Sequence, residues 1–78
     1  VTPLDQWLGH WYRASVLKTR DKDETVRLFA TAIEADQDLR SAAEARLSEV
    51  DALMKKRKDF ISEVHLEGLR KALSHARN

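Results

Sequence analysis

Seventy-eight residues are enough for one domain and no more. The absence of cysteine excludes a disulfide framework and any thiolate-based zinc site. With 14 basic and 13 acidic residues the net charge is +1, so composition advertises neither nucleic acid nor an anionic membrane as a partner.

A chain this short buries only roughly 60–65% of the surface its unfolded form exposes. Small domains compensate with disulfides, a metal or association. Here association with a second copy or a larger partner is the expected remedy. No apolar run approaches the ~18–20 residues that span a bilayer. Val1-Thr2-Pro3-Leu4-Asp5 lacks the basic region and apolar stretch of a signal peptide, although a start at Val leaves processing open. The expectation is a soluble, cytoplasmic protein with no membrane partner.

The first helix is expected over about residues 3–18. Thr2 can cap it, Pro3 suits the first helical position, and Asp5 favours the positive end. Leu4, Trp7, Leu8, Trp11 and Ala14 recur at helical spacing, and Tyr12 and Val16 widen their face. The polar run from Lys18 to Asp23 marks a turn.

A second helix is expected over about residues 22–37, with Asp21 and Glu24 as a variant capping box. Val26, Phe29, Ala30 and Ile33 lie on one face; Leu28, Ala32, Ala35 and Leu39 lie roughly opposite. Such a helix is expected to be covered on both sides, one of them by another subunit. Asp36-Gln37-Asp38 can hold a turn, and Ser41 with Glu44 can open a helix at Ala42. A helix running straight through is equally compatible with these residues.

The third helix, over about residues 39–65, has the clearest period. Leu39, Ala43, Leu47, Val50, Leu53, Met54, Phe60, Ile61 and Val64 fall in a stripe of about 140° at 100° per residue. Leu66, Leu69 and Leu73 leave that stripe, so a bend, a break or a change of packing partner is predicted between His65 and Gly68. A short helical piece then continues to about residue 76.

Trp7, Trp11 and Tyr12 stand within six residues of one another. They can fill the core or anchor an interface, where such rings are over-represented. Trp7-Leu8-Gly9 spells the W-x-G of small secreted helical hairpins. There it forms the central turn, whereas here it lies near the start of the first helix, which argues for coincidence. Lys55-Lys56-Arg57-Lys58 reads as a nucleic-acid patch or as a solvated helical turn. On a helix the four point in different directions, which favours the turn. Arg46 and Arg57 fall on seam positions of a heptad through Ala43, Val50, Leu53, Phe60 and Val64, where a polar residue can fix register. Snorkelling of the guanidinium into water is the plainer reading.

His10, His65 and His75 are scattered, and no ligand spacing, nucleophile elbow or phosphate loop is present. No catalytic, cofactor-binding or metal residue is assigned, and no enzyme is expected. Ser41-Ala42-Ala43-Glu44-Ala45-Arg46-Leu47-Ser48-Glu49-Val50 resembles part of a helix in the Hha/YmoA family of small bacterial nucleoid modulators. Those proteins are all-helical, of similar length, and act by binding a DNA-binding partner. The resemblance spans ten residues of common helix formers and carries over no site residue.

The expected architecture is a single all-α domain over residues 1–78. It is a helical hairpin or three-helix unit with one long amphipathic helix and a short C-terminal helical piece, dimeric through the long helix. The expected function is a non-catalytic protein-binding adaptor or regulator acting through helix–helix contacts. Its interface residues are Trp7, Trp11, Tyr12, Leu28, Val50, Leu53, Met54, Arg57, Phe60 and Ile61. Its partners are a second copy and another protein, with no cofactor and no small-molecule substrate. The alternatives are a nucleic-acid-binding accessory protein using residues 55–77, through Lys55, Lys56, Lys58, Arg70 and Lys71, or a structural subunit of a larger complex.

Overall fold

Each helix begins at a residue that the local sequence supplies for it. The computed structural model describes residues 2–18 and 21–76. Among these, all regular structure is helical: α1 (Pro3–Leu17), α2 (Lys22–Ala35), α3 (Gln37–Lys56) and α4 (Phe60–His75).

Thr2 caps α1 as expected: its Oγ1 accepts from the Asp5 N–H at 3.2 Å and donates to the Asp5 carboxylate at 2.8 Å. The helix ends at Lys18, which adopts the left-handed conformation at φ 53° and donates its N–H to the Ala14 carbonyl. Asp21 stands at the N-cap of α2, but the expected box with Glu24 is not made and the Asp21 side chain forms no capping bond. Thr25 instead returns its hydroxyl to the Asp21 carbonyl at 2.8 Å.

Asp36 alone separates α2 from α3. Its backbone is extended, and its Oδ1 accepts from the N–H groups of Asp38 (2.9 Å) and Leu39 (3.2 Å). One residue thus ends one helix and caps the next. Ser41 and Glu44, the alternative start, lie exposed inside α3.

The predicted long helix does not exist as one piece. It stops at Lys56, and Arg57 to Asp59 form an extended connection. Asp59 then caps α4, accepting from the Ile61 N–H at 3.1 Å and from the Ser62 hydroxyl at 3.4 Å. The reason is burial. A continuous stripe of about 25 residues would run close to 38 Å with little to cover it. A break inside the polar run Lys55 to Asp59 displaces no apolar side chain and lets α4 fold back, so that its Leu69 and Ala72 join Leu39 and Ala43 of α3 in one core while Phe60 and Ile61 stay exposed. The heptad through Arg57 fails with it, since no helix passes through that residue. Arg46 stays helical and half-buried, and its guanidinium meets the Asp5 carboxylate at 3.2 Å.

Of the bend, break or change of packing partner expected between His65 and Gly68, the first two are absent, and α4 runs unbroken to His75. Each helix packs against the other three. Val64, Leu66, Gly68, Leu69 and Ala72 of α4 are all buried, because neighbours surround a wide arc of it. The jump of phase after Val64 marks the third alternative, a change of packing partner: Val64 joins Trp11 and Val26, whereas Leu69 and Ala72 join the larger cluster.

Two groups of side chains make the core. The larger joins Leu4 and Leu8 of α1, Phe29 and Ile33 of α2, Leu39 and Ala43 of α3, and Leu69 and Ala72 of α4. The smaller joins Trp11, Val26 and Val64. The Cα radius of gyration is 11.7 Å and the extents are 33 × 27 × 24 Å. A self-contained domain of this length is expected at about 11.5 Å, so the chain closes its own core. Four helices in a near-equant bundle replace the hairpin or three-helix unit.

Candidate protein-binding surface

Trp11 sets the geometry of the bundle. Its indole is 1% exposed, and its Nε1 donates to the Val64 carbonyl at 2.7 Å, which ties α1 to α4. The ammonium groups of Lys22 and Lys71 lie 5.3 and 5.7 Å from the indole centroid. Glu67 sits between them, 3.1 Å from Lys71 and 3.9 Å from Lys22. This cation–carboxylate–cation cover closes the core over the ring. As folded, Trp11 has no surface to offer a partner.

Trp7, one turn earlier, is half-buried and stacks on Phe29 of α2 with ring centroids 5.6 Å apart and planes within 4°. It lines an open groove of about 490 Å³ between α1 and α2, together with His10, Arg13, Leu17, Asp21 and Leu28. Leu17 is 64% and Leu28 51% exposed. The groove leaves the second apolar face of α2 open at Leu28.

A separate apolar patch lies where α1 meets the start of α4. The ring of Tyr12 stands edge-on to Phe60 at 6.3 Å and to His65 at 6.0 Å. Phe60 is 61% and Ile61 50% exposed. Tyr12 thus covers one side of Phe60, while the rest of the ring faces solvent. Burial holds the His65 imidazole below its ordinary pKa, and the Arg46 guanidinium pushes the same way; Asp5 and Asp59 oppose them.

The expected interface residues therefore divide. Tyr12, Phe60 and Ile61 form one patch, and Trp7 and Leu28 belong to the groove. Val50 is buried in the chain's own core. Leu53, on the last turns of α3, is 44% exposed. Met54 is half-buried beside Leu66 and Arg70. Arg57 is exposed in the connection.

The basic residues divide too. Arg70 pairs with Asp51 at 3.3 Å, Lys71 with Glu67 at 3.1 Å, and Lys55 with Asp51 at 3.8 Å. Lys56 ends α3, and Lys58 lies with Arg57 in the connection, all three exposed. His10 stands edge-on to Trp7 at 6.1 Å, His65 contacts Tyr12, and His75 ends α4, three separate places.

Leu17 and His65 were missed as surface residues. For Leu17 a signal existed: at 100° per residue it stands about 120° from the centre of the face formed by Leu4, Leu8, Trp11 and Ala14. For His65 there was none, because its neighbours come from α1 and α3. Comparison of the chain with protein families, curated proteins and solved structures returns no match.

Proposed function

We propose that this chain is a non-catalytic protein-binding module that works through helix-borne apolar surfaces. The observation that carries the reading is the patch of Tyr12, Phe60 and Ile61. A chain that closes its own core still presents Phe60 and Ile61 to solvent, with the Tyr12 ring beside the first of them. Large aromatic rings have few rotatable bonds to immobilise on binding and are over-represented among the residues that carry interface energies.

The test is site-specific photocrosslinking in cells of the source organism. Benzoylphenylalanine would replace Phe60, Leu28 or, as a polar control, Glu44. A discrete protein adduct from Phe60 or Leu28 and none from Glu44 is expected. No adduct from either apolar position would refute the reading.

A homodimer is the second reading, and the α1–α2 groove favours it. Leu17 and Leu28 flank a cleft that carries both Arg13 and Asp21. A two-fold related copy would set unlike charges opposite each other around an apolar centre. Sedimentation of the wild type beside Leu28→Lys separates the two readings. A dimer that this change dissociates is the expected mark of self-association.

A further inference from the structure

The connection between α3 and α4 joins two features that the sequence keeps in separate categories. Lys55-Lys56-Arg57-Lys58 is a run of four cations, and Phe60-Ile61 is the most exposed apolar pair of α4. A straight helix would scatter the four charges around its axis. Here only Lys55 and Lys56 are helical. Arg57 is extended at φ −159°, ψ 139°, and the chain stays extended at Asp59. The charges therefore sit on a corner, within a few residues of the apolar pair.

Nearby carboxylates leave most of this charge unneutralised. Asp51 serves Lys55 and Arg70. Asp59 turns its oxygens to the Ile61 N–H and the Ser62 hydroxyl. Among the described residues, no carboxylate lies within ion-pair distance of Lys56, Arg57 or Lys58. Lys55 and Lys56 also complement the negative end of α3, but Arg57 and Lys58 lie beyond it.

We propose that this corner binds an acidic peptide segment with a large apolar side chain at its centre. That side chain would seat against Phe60, Ile61 and Tyr12, and the flanking carboxylates would meet Lys56, Arg57 and Lys58. The arrangement is that of an interface with an apolar core and a charged rim. The inference rests on the protein-binding reading above and adds the chemistry of the partner.

Three other occupants fit less well. A second copy docked two-fold on this corner would bring cation run against cation run. A nucleic acid needs a basic track, yet Arg70 and Lys71 are committed to carboxylates elsewhere. An anionic bilayer takes a whole apolar helix face, whereas here the exposed apolar side chains of α4 are confined to its first turn, at Phe60 and Ile61.

The test uses the intact chain and four probes. They are a short synthetic amphipathic helix of Glu and Leu, the same helix with Lys for Glu, phosphatidylserine-containing vesicles, and single-stranded DNA. The Glu–Leu helix is expected to bind, with amide shifts confined to residues 53–65 and Tyr12. Lys56→Gln with Arg57→Gln and Lys58→Gln should weaken it about tenfold. Phe60→Ser should weaken it by a similar factor, about tenfold, with added salt having less effect than on the charge contacts. Both variants alter exposed side chains, and an unchanged circular dichroism melt shows that they fold. Equal binding of the Lys–Leu helix, tighter binding of DNA or vesicles, or indifference to either variant would overturn the proposal. A crosslink from Phe60 combined with no binding of the Glu–Leu helix would refute the acidic partner and leave the protein-binding reading standing.

Discussion

Gly68 of α4 lies against the indole of Trp11 of α1: a Cβ built on Gly68 would fall within 3.0 Å of Cδ1, Nε1 and Cγ of that ring. The ring cannot retreat, because its Nε1 donates to the Val64 carbonyl one turn earlier on the same helix at 2.7 Å. We expect Gly68→Ala to destabilise the fold by about 2 kcal/mol. Overpacking costs up to ~3 kcal/mol and the better helix former returns ~1 kcal/mol. Thermal denaturation should show a midpoint lower by about 10 °C. An unchanged or raised midpoint would mean that the indole does not rest on Gly68.

Asp59 is the side chain that divides the long apolar stripe into two helices, since it caps α4 where a continuous helix would have passed. Asp59→Ala should cost about 0.5–2 kcal/mol, and Asp59→Asn should recover most of that, as N-caps do. Urea denaturation of the two variants measures the difference. Equal effects of Ala and Asn would show that the carboxylate acts otherwise than as a cap.

His65 couples stability to pH. Burial first, and then the Arg46 guanidinium, hold its imidazole below the ordinary value of 6.5 in the folded chain, against the pull of Asp5 and Asp59. The unfolded chain therefore takes up the proton first as pH falls. The contribution is fully present above 6.5 and is lost as pH drops through that value toward the depressed folded one. Chemical denaturation between about pH 7.5 and 5.5 should show stability falling with acidification. His65→Gln should flatten the slope, which separates His65 from His10 and His75. A slope unchanged in that variant would assign the effect to other groups.

Leu53 distinguishes a self-contained bundle from a dimer built on α3. The side chain is 44% exposed. Leu53→Asp should therefore change stability by no more than about 1 kcal/mol, part of it from a negative charge near the helix C-terminus. Equilibrium sedimentation and a thermal melt of the variant check this. Unfolding or dissociation would place Leu53 under a second chain.

The all-helical class follows from the sequence alone. Helix formers fill the chain, glycine and proline are scarce, and the apolar residues keep a helical period. The start of α1 was equally legible, since Thr2, Pro3 and Asp5 act within one turn of each other. Tertiary structure decided where the long stripe ends. Lys55 to Asp59 carries the same polar signature as Lys18 to Asp23, but the first run sits inside an unbroken apolar period and the second does not. Periodicity reports which residues seek burial, and it is blind to whether the cover comes from a partner or from the same chain folded back. Gly68 looked like a break for the same reason. A helical glycine is costly in isolation, and only the indole of Trp11, 57 residues away in sequence, shows what it makes room for. The surface was decided in three dimensions too. Tyr12, Phe60 and His65 come together because α1 crosses the start of α4, a relation between distant segments that no local pattern encodes.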